Sequence, residues 1–133
     1  MPAETRVAIG RETDIVLARQ SGRELAAQCG FSRTEQTLIA TAISEVARNI
    51  VVYAGNGEVH LSTVDEPGRR GIVVVARDQG PGIENVDLAM QDGYSTTKSL
   101  GLGLPGAKRI MDEFDLTSAR GKGTTVTMKK WLK

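Results

Sequence analysis

One cysteine, Cys29, and one histidine, His60, are all that these 133 residues contain of either type. A lone cysteine excludes an intramolecular disulfide framework, and the expectation that follows is a reducing compartment, the cytoplasm. His60 falls in a strand pattern with no cysteine or carboxylate cluster around it. It reads as an ordinary strand side chain, and a metal site built from protein ligands alone is not expected. Excess charge of one sign is missing too. Seventeen basic against sixteen acidic residues leave a formal charge of +1, which supplies no bulk field for nucleic acid or an anionic membrane surface. The longest strongly apolar run, Ile72 to Ala76, is far below the roughly 20 residues of a membrane-crossing helix. The opening MPAETRVAIG carries no basic segment followed by an apolar one, so no targeting leader is expected. Neither G-x-x-x-x-G-K-[ST] nor the H-R-D and D-F-G signatures of eukaryotic-type protein kinases occurs. Any nucleotide must be held in another way.

What the chain does have is periodicity. Thr5 to Ile9 predicts a first strand, and the segment from about Asp14 to Cys29 a helix with Gly30 as its stop. Ser32-Arg33-Thr34-Glu35 has capping-box spacing and opens a long helix with Leu38, Ile39, Ala42, Ile43, Val46 and Ile50 on one side. Val59, Leu61 and Thr63 alternate as a strand, Asp65-Glu66-Pro67-Gly68 makes a turn, and Gly71 to Ala76 is a β-branched run suited to a central strand. These two strands predict a hairpin. After a glycine-rich polar loop, Leu104 to Phe114 returns to helical spacing and Thr124 to Trp131 reads as a closing strand. No repeat or linker interrupts this order. One domain over residues 1–133 is expected, an α/β two-layer sandwich with a mixed, mostly antiparallel sheet and helices on one face. The other face is left more exposed and suits a partner.

Four stretches can carry chemistry. Glu45 and Asn49 lie one helical turn apart on the margin of the apolar arc, about −20° and +20° from Leu38 at 100° per residue. Such a pair can serve a hard cation, a water or a hydroxyl, or simply fix how the helix docks. Asp78-Gln79-Gly80-Pro81-Gly82 follows the apolar strand directly. Its carboxylate can accept from an exocyclic amine and its glycines admit a flat ring, although an ordinary turn fits as well. LGLGLPGAKR contains G-x-G-x-x-G in Gly101, Gly103 and Gly106, but DGYSTTKS precedes it where a dinucleotide fold needs an apolar strand. Its amides and the helix that follows suit phosphate oxygens, with Thr96, Thr97, Lys98 and Ser99 as added donors, or the stretch is a surface loop with Pro105 in the first helical turn. Finally, GKGTT brings Thr124 to the start of the last strand, near a base or as part of a hairpin turn.

Taken in order, the helix with Glu45 and Asn49, then DQGPGI, then GLGL, then GKGTT resembles the four boxes of the GHKL ATPase superfamily, over about residues 35 to 130. TDIVLARQSGRELA, AISEVARNI, DGYSTTKSLGLGLPGAKRIMDEF and KWLK extend the likeness to its bacterial serine kinases of anti-sigma and stressosome pathways. That resemblance implies the Bergerat ATP-binding fold, ATP with Mg²⁺, and phosphorylation of serine or threonine on STAS-domain proteins. Release to a downstream phosphatase or other output is implied as well. It assigns Asn49 to Mg²⁺, Asp78 to the adenine amine, Gly80 and Gly82 to the turn beside the ring, and Thr124 to the adenine side. Gly101 and Gly103, with Leu102 and Leu104 between and after them, match the phosphate lid. Glu45 is the candidate base for the substrate hydroxyl. Order in residues 92 to 103 is expected to depend on nucleotide.

Other members of the superfamily fit less well. Nothing in the 133 residues matches dimerisation helices with a phospho-accepting histidine, or the transducer domain of an ATP-driven clamp. An anti-sigma factor that also phosphorylates its antagonist remains an alternative. So does a non-catalytic, ATP-sensing partner switch, against which Glu45 weighs.

Overall fold

A computed structural model describes residues 4–80, 103–118 and 121–132. The chain runs β1 (Glu4–Ile9), α1 (Glu12–Cys29), α2 (Arg33–Tyr53), β2 (Gly57–Glu66), β3 (Arg69–Asp78), α3 (Gly103–Ile110), β4 (Glu113–Ser118) and β5 (Thr124–Trp131). The strands form one five-stranded sheet in the order β1-β2-β3-β5-β4. All four pairings are antiparallel, so the expected sandwich stands with no parallel pair among the described strands.

Local chemistry sets the helix ends. The Asp14 carboxylate accepts from the amides of Gly10 at 2.8 Å and Arg11 at 3.1 Å, which starts α1 two residues before the expected position. Gly30, at φ 107°, closes it by donating to Ala26 and Ala27 carbonyls, a left-handed conformation that a side chain disfavours. For α2 the Ser32 hydroxyl oxygen accepts from the Glu35 amide at 3.2 Å, and the same hydroxyl donates to the Glu35 carboxylate at 3.1 Å.

Ile9, Ile39, Ile43, Ile50, Leu61, Ile72 and Met128 fill the space between helices and sheet. Leu38 does not join them. It is 40% exposed at the margin of the α2 arc, whereas Glu45, two turns on at the same margin, is covered by the start of α3. The opposite sheet face carries Arg6, Glu58, His60, Arg77, Lys129 and Trp131. There His60 Nε2 lies 2.9 Å from Glu58 Oε1, and the imidazole holds that carboxyl below its ordinary value.

The expected helix from Leu104 to Phe114 is shorter. It ends at Ile110, and Glu113 to Ser118 form an edge strand instead. Pairing with β5 overrides helical spacing here: the Asp112 amide donates to the Lys129 carbonyl at 2.9 Å and its carboxylate accepts from the Trp131 amide at 2.8 Å. No helix among the described residues is long and apolar enough to cross a membrane.

Cys29 is buried under β3, its thiol directed at the Gly71 carbonyl at 3.6 Å, and burial raises its pKa. A raised pKa keeps the neutral thiol, so its contribution to stability is present below the unfolded-state pKa and lost as pH rises through the folded one. The native protein at pH 8 is expected to react with an aromatic disulfide reagent at least about 10²-fold more slowly than the protein unfolded in urea. Equal rates would place the thiol outside the core.

Candidate functional site

The site is built along α2. Glu45 projects from its middle and is 7% exposed. An ionised carboxylate so buried needs partners, and it has two: the Gly103 amide donates to Oε2 at 2.9 Å and Arg48 Nη1 donates to Oε1 at 3.3 Å. Gly103, at φ +68°, is the first residue of α3. A carboxylate therefore faces the positive N-terminal end of that helix. The other end is matched by a cation, since the buried Lys130 donates from Nζ to the Ile110 carbonyl at 3.0 Å. Asn49 follows one turn after Glu45 and is half-buried.

Beyond Asn49, α2 meets the end of β3. Gly57 is the contact, because a Cβ there would stand 2.9 Å from Ile50 Cγ2 and 3.0 Å from Asp78 Cβ. Asp78 is buried, and its Oδ1 accepts from the Gly80 amide at 2.9 Å. That bond turns the chain back on itself and leaves Oδ2 for another donor. Gly80 rests on the end of α2, where a Cβ would come within 2.5 Å of Ala54 Cβ. Across the sheet Asp78 pairs with Thr124, whose hydroxyl is 2.8 Å from that of Ser118. The approach of β5 depends on Gly123 at φ +76°, where a Cβ would run into the Asp78 carbonyl.

Of the sequence-derived candidates, the fold joins Glu45 to Gly103, and Asp78 to both Gly80 and Thr124. Leu104 is buried against the core, so its side chain anchors α3. Gly82, Thr96, Thr97, Lys98, Ser99, Gly101 and Leu102 lie outside the described residues. Sequence reasoning missed Arg48 and Ser118. Arg48 was visible in principle as a cation at i+3 from Glu45, a spacing that brings side chains together on a helix. Ser118 was not, because its strand, Glu113–Ser118, was not expected.

Asn49 suits a hard cation. Its side-chain carbonyl oxygen is a ligand of the kind that Mg²⁺ takes, an ion that needs few protein ligands and completes its shell with water and phosphate oxygens.

The family model for the histidine kinase-like ATPase domain matches residues 10–130. The chain belongs to that family. It is 49% identical to serine/threonine-protein kinase RsbT of Bacillus subtilis (strain 168) over all of both chains. Identity is 36% to the anti-sigma F factor of Geobacillus thermodenitrificans (strain NG80-2), across 86% of this chain and 82% of that protein. Among solved structures the mycobacterial sensor histidine kinase MprB superposes with a TM-score of 0.53 at 16% identity, over 98% of this chain and 96% of that one, a likeness of fold. The family is one of ATP-using domains.

Gly123→Ala tests how the end of β3 is held. The substitution sets a side chain at positive φ and drives its Cβ into the Asp78 carbonyl, at an expected cost on the order of 2–3 kcal/mol in urea unfolding. An unchanged midpoint would mean that the Asp78–Thr124 approach is loose.

Proposed function

We propose that the protein, a serine/threonine kinase of the histidine kinase-like ATPase family, transfers the γ-phosphoryl group of ATP to a seryl or threonyl hydroxyl. The acceptor is a STAS-domain scaffold protein of a stressosome, and the released kinase engages a downstream phosphatase or similar output in the cytoplasm. The observation that carries this reading is the buried Glu45 carboxylate at the start of α3, on the helix that also bears Asn49. Full-length identity of 49% to a protein serine/threonine kinase supports it. The anti-sigma F relatives support the coarser role, switching between regulatory protein partners. They also favour a second reading, a serine kinase that binds a sigma factor itself, but at 29% and 36% identity.

In this reading Asp78 Oδ2 accepts from the adenine amine while Oδ1 keeps the Gly80 amide, and Gly80 admits the ring beside the end of α2. Thr124, oriented by Ser118, completes the adenine side. Gly101 and Gly103 are assigned to the phosphates on the sequence resemblance, and Thr96, Thr97, Lys98 and Ser99 on their donors and charge. Asn49 would hold Mg²⁺, which when bound supplies positive charge against the phosphate oxygens. Each carboxylate oxygen has two lone-pair positions, so Oε2 of Glu45 can take the hydroxyl proton while it still accepts from Gly103. The hydroxyl oxygen bonds to phosphorus as the bond to ADP breaks, and ADP leaves with that electron pair. One proton ends on Glu45.

Asp78→Asn preserves an oxygen for the Gly80 amide but turns an NH₂ donor toward the adenine amine. Calorimetry is expected to show ATP affinity reduced about 10- to 100-fold in a protein that unfolds as the parent does; near-parental affinity would refute the adenine assignment. For the base, Glu45→Gln is a cleaner probe than Glu45→Ala, because the amide oxygen can still hold Gly103. Single-turnover transfer to a STAS-domain partner, at saturating Mg-ATP, is expected to slow about 10²- to 10⁴-fold with ATP affinity and melting temperature retained. Transfer at the parental rate would remove Glu45 from the chemistry.

A further inference from the structure

Arg48 is the one charged side chain bonded to Glu45 among the described residues, and neither the motif nor the proposed chemistry has a use for it. We propose that Arg48 is a positioning residue for phosphoryl transfer: its guanidinium fixes Oε1 of Glu45 so that Oε2, at the start of α3, is the oxygen presented to the substrate hydroxyl. This rests on Glu45 being the base.

Three observations carry the proposal. The two members of the pair differ sharply in burial, 7% exposed for the Glu45 side chain and 38% for Arg48, so a buried carboxylate is paired with a half-buried guanidinium. Ordinary i,i+3 pairs on helices are exposed at both ends and hold little in place. Second, the two bonds fall on different oxygens, Oε1 to Arg48 and Oε2 to the Gly103 amide. The Gly103 amide alone leaves the carboxylate free to turn about that contact. A second donor on the other oxygen removes the rotation and decides which oxygen faces outward at α3. Third, the bond is a single one, from Nη1 at 3.3 Å. No bidentate fork is formed, so another cation of similar reach can do part of the same task.

The test uses full-length protein, Mg-ATP and a STAS-domain partner, with single-turnover rate, ATP affinity and melting temperature measured together at a temperature well below unfolding. Arg48→Met keeps the aliphatic stem and removes the donor. It is expected to slow transfer about 10- to 100-fold with ATP affinity unchanged, and Arg48→Lys to recover part of the rate. In a Glu45→Gln background, Arg48→Met is expected to have no further effect, since there is no base left to orient. If Arg48→Met instead raises the ATP dissociation constant and spares the rate at saturation, Arg48 is a phosphate ligand and the proposal fails. Additive losses in the double variant also overturn it. Should Glu45→Gln be slow while Arg48→Met matches the parent, this inference falls and the base assignment stands. Should Glu45→Gln itself match the parent, both fall.

Discussion

A carboxylate buried on α2 and answered by the first amide of α3 is the interaction on which the site depends. Removing Glu45 from water is costly unless its oxygens are matched, and the Gly103 amide and Arg48 guanidinium match one each. A hydrogen bond to a charged group contributes about 1.5–3 kcal/mol, so the bond from the Gly103 amide that helps to tolerate the charge also docks a helix of only eight residues. Such a helix has little stability of its own. Lys130 completes the arrangement at the opposite end, with an ammonium on the carbonyl of Ile110. Negative charge at the N-terminus and positive charge at the C-terminus both follow the helix dipole.

The second half of the site rests on strand register. Asp78 pairs with Gly57 on one side and Thr124 on the other. A slip of one residue in β3 would turn Asp78 to the opposite face of the sheet. The two glycines that flank this point are steric requirements: a side chain at position 57 would meet the Arg77 carbonyl at 2.5 Å, and one at position 123 the Asp78 carbonyl. Core packing of Ile50 against Gly57 then sets how far Asn49 stands from Asp78. Precision in the site is inherited from the sheet and from α2.

Much of this was legible in the sequence, for reasons that can be named. Capping chemistry announced α2 through Ser32 and Glu35, and the αL stop of α1 through Gly30. Alternation over Val59, Leu61 and the β-branched run after Gly71 announced the central hairpin. Edge strand β4 was missed because helical spacing carried on to Phe114, while the opposing signal, alternation of Phe114 and Leu116 with polar residues, spans only six positions. Leu38 was misplaced because an apolar arc says which side of a helix is inward but not where the neighbouring helix stops. The order of the motifs made the family readable. The partners of Glu45 were not, since a contact between residues 45 and 103 has no signature in local spacing.

The fate of the γ-phosphoryl group tests the central claim most directly. Wild-type protein would be incubated with γ-labelled ATP, Mg²⁺ and a STAS-domain partner, and the label mapped to its residue. The account predicts phosphoserine or phosphothreonine on the partner. Label found on His60 of this chain, or released only as inorganic phosphate, would contradict it.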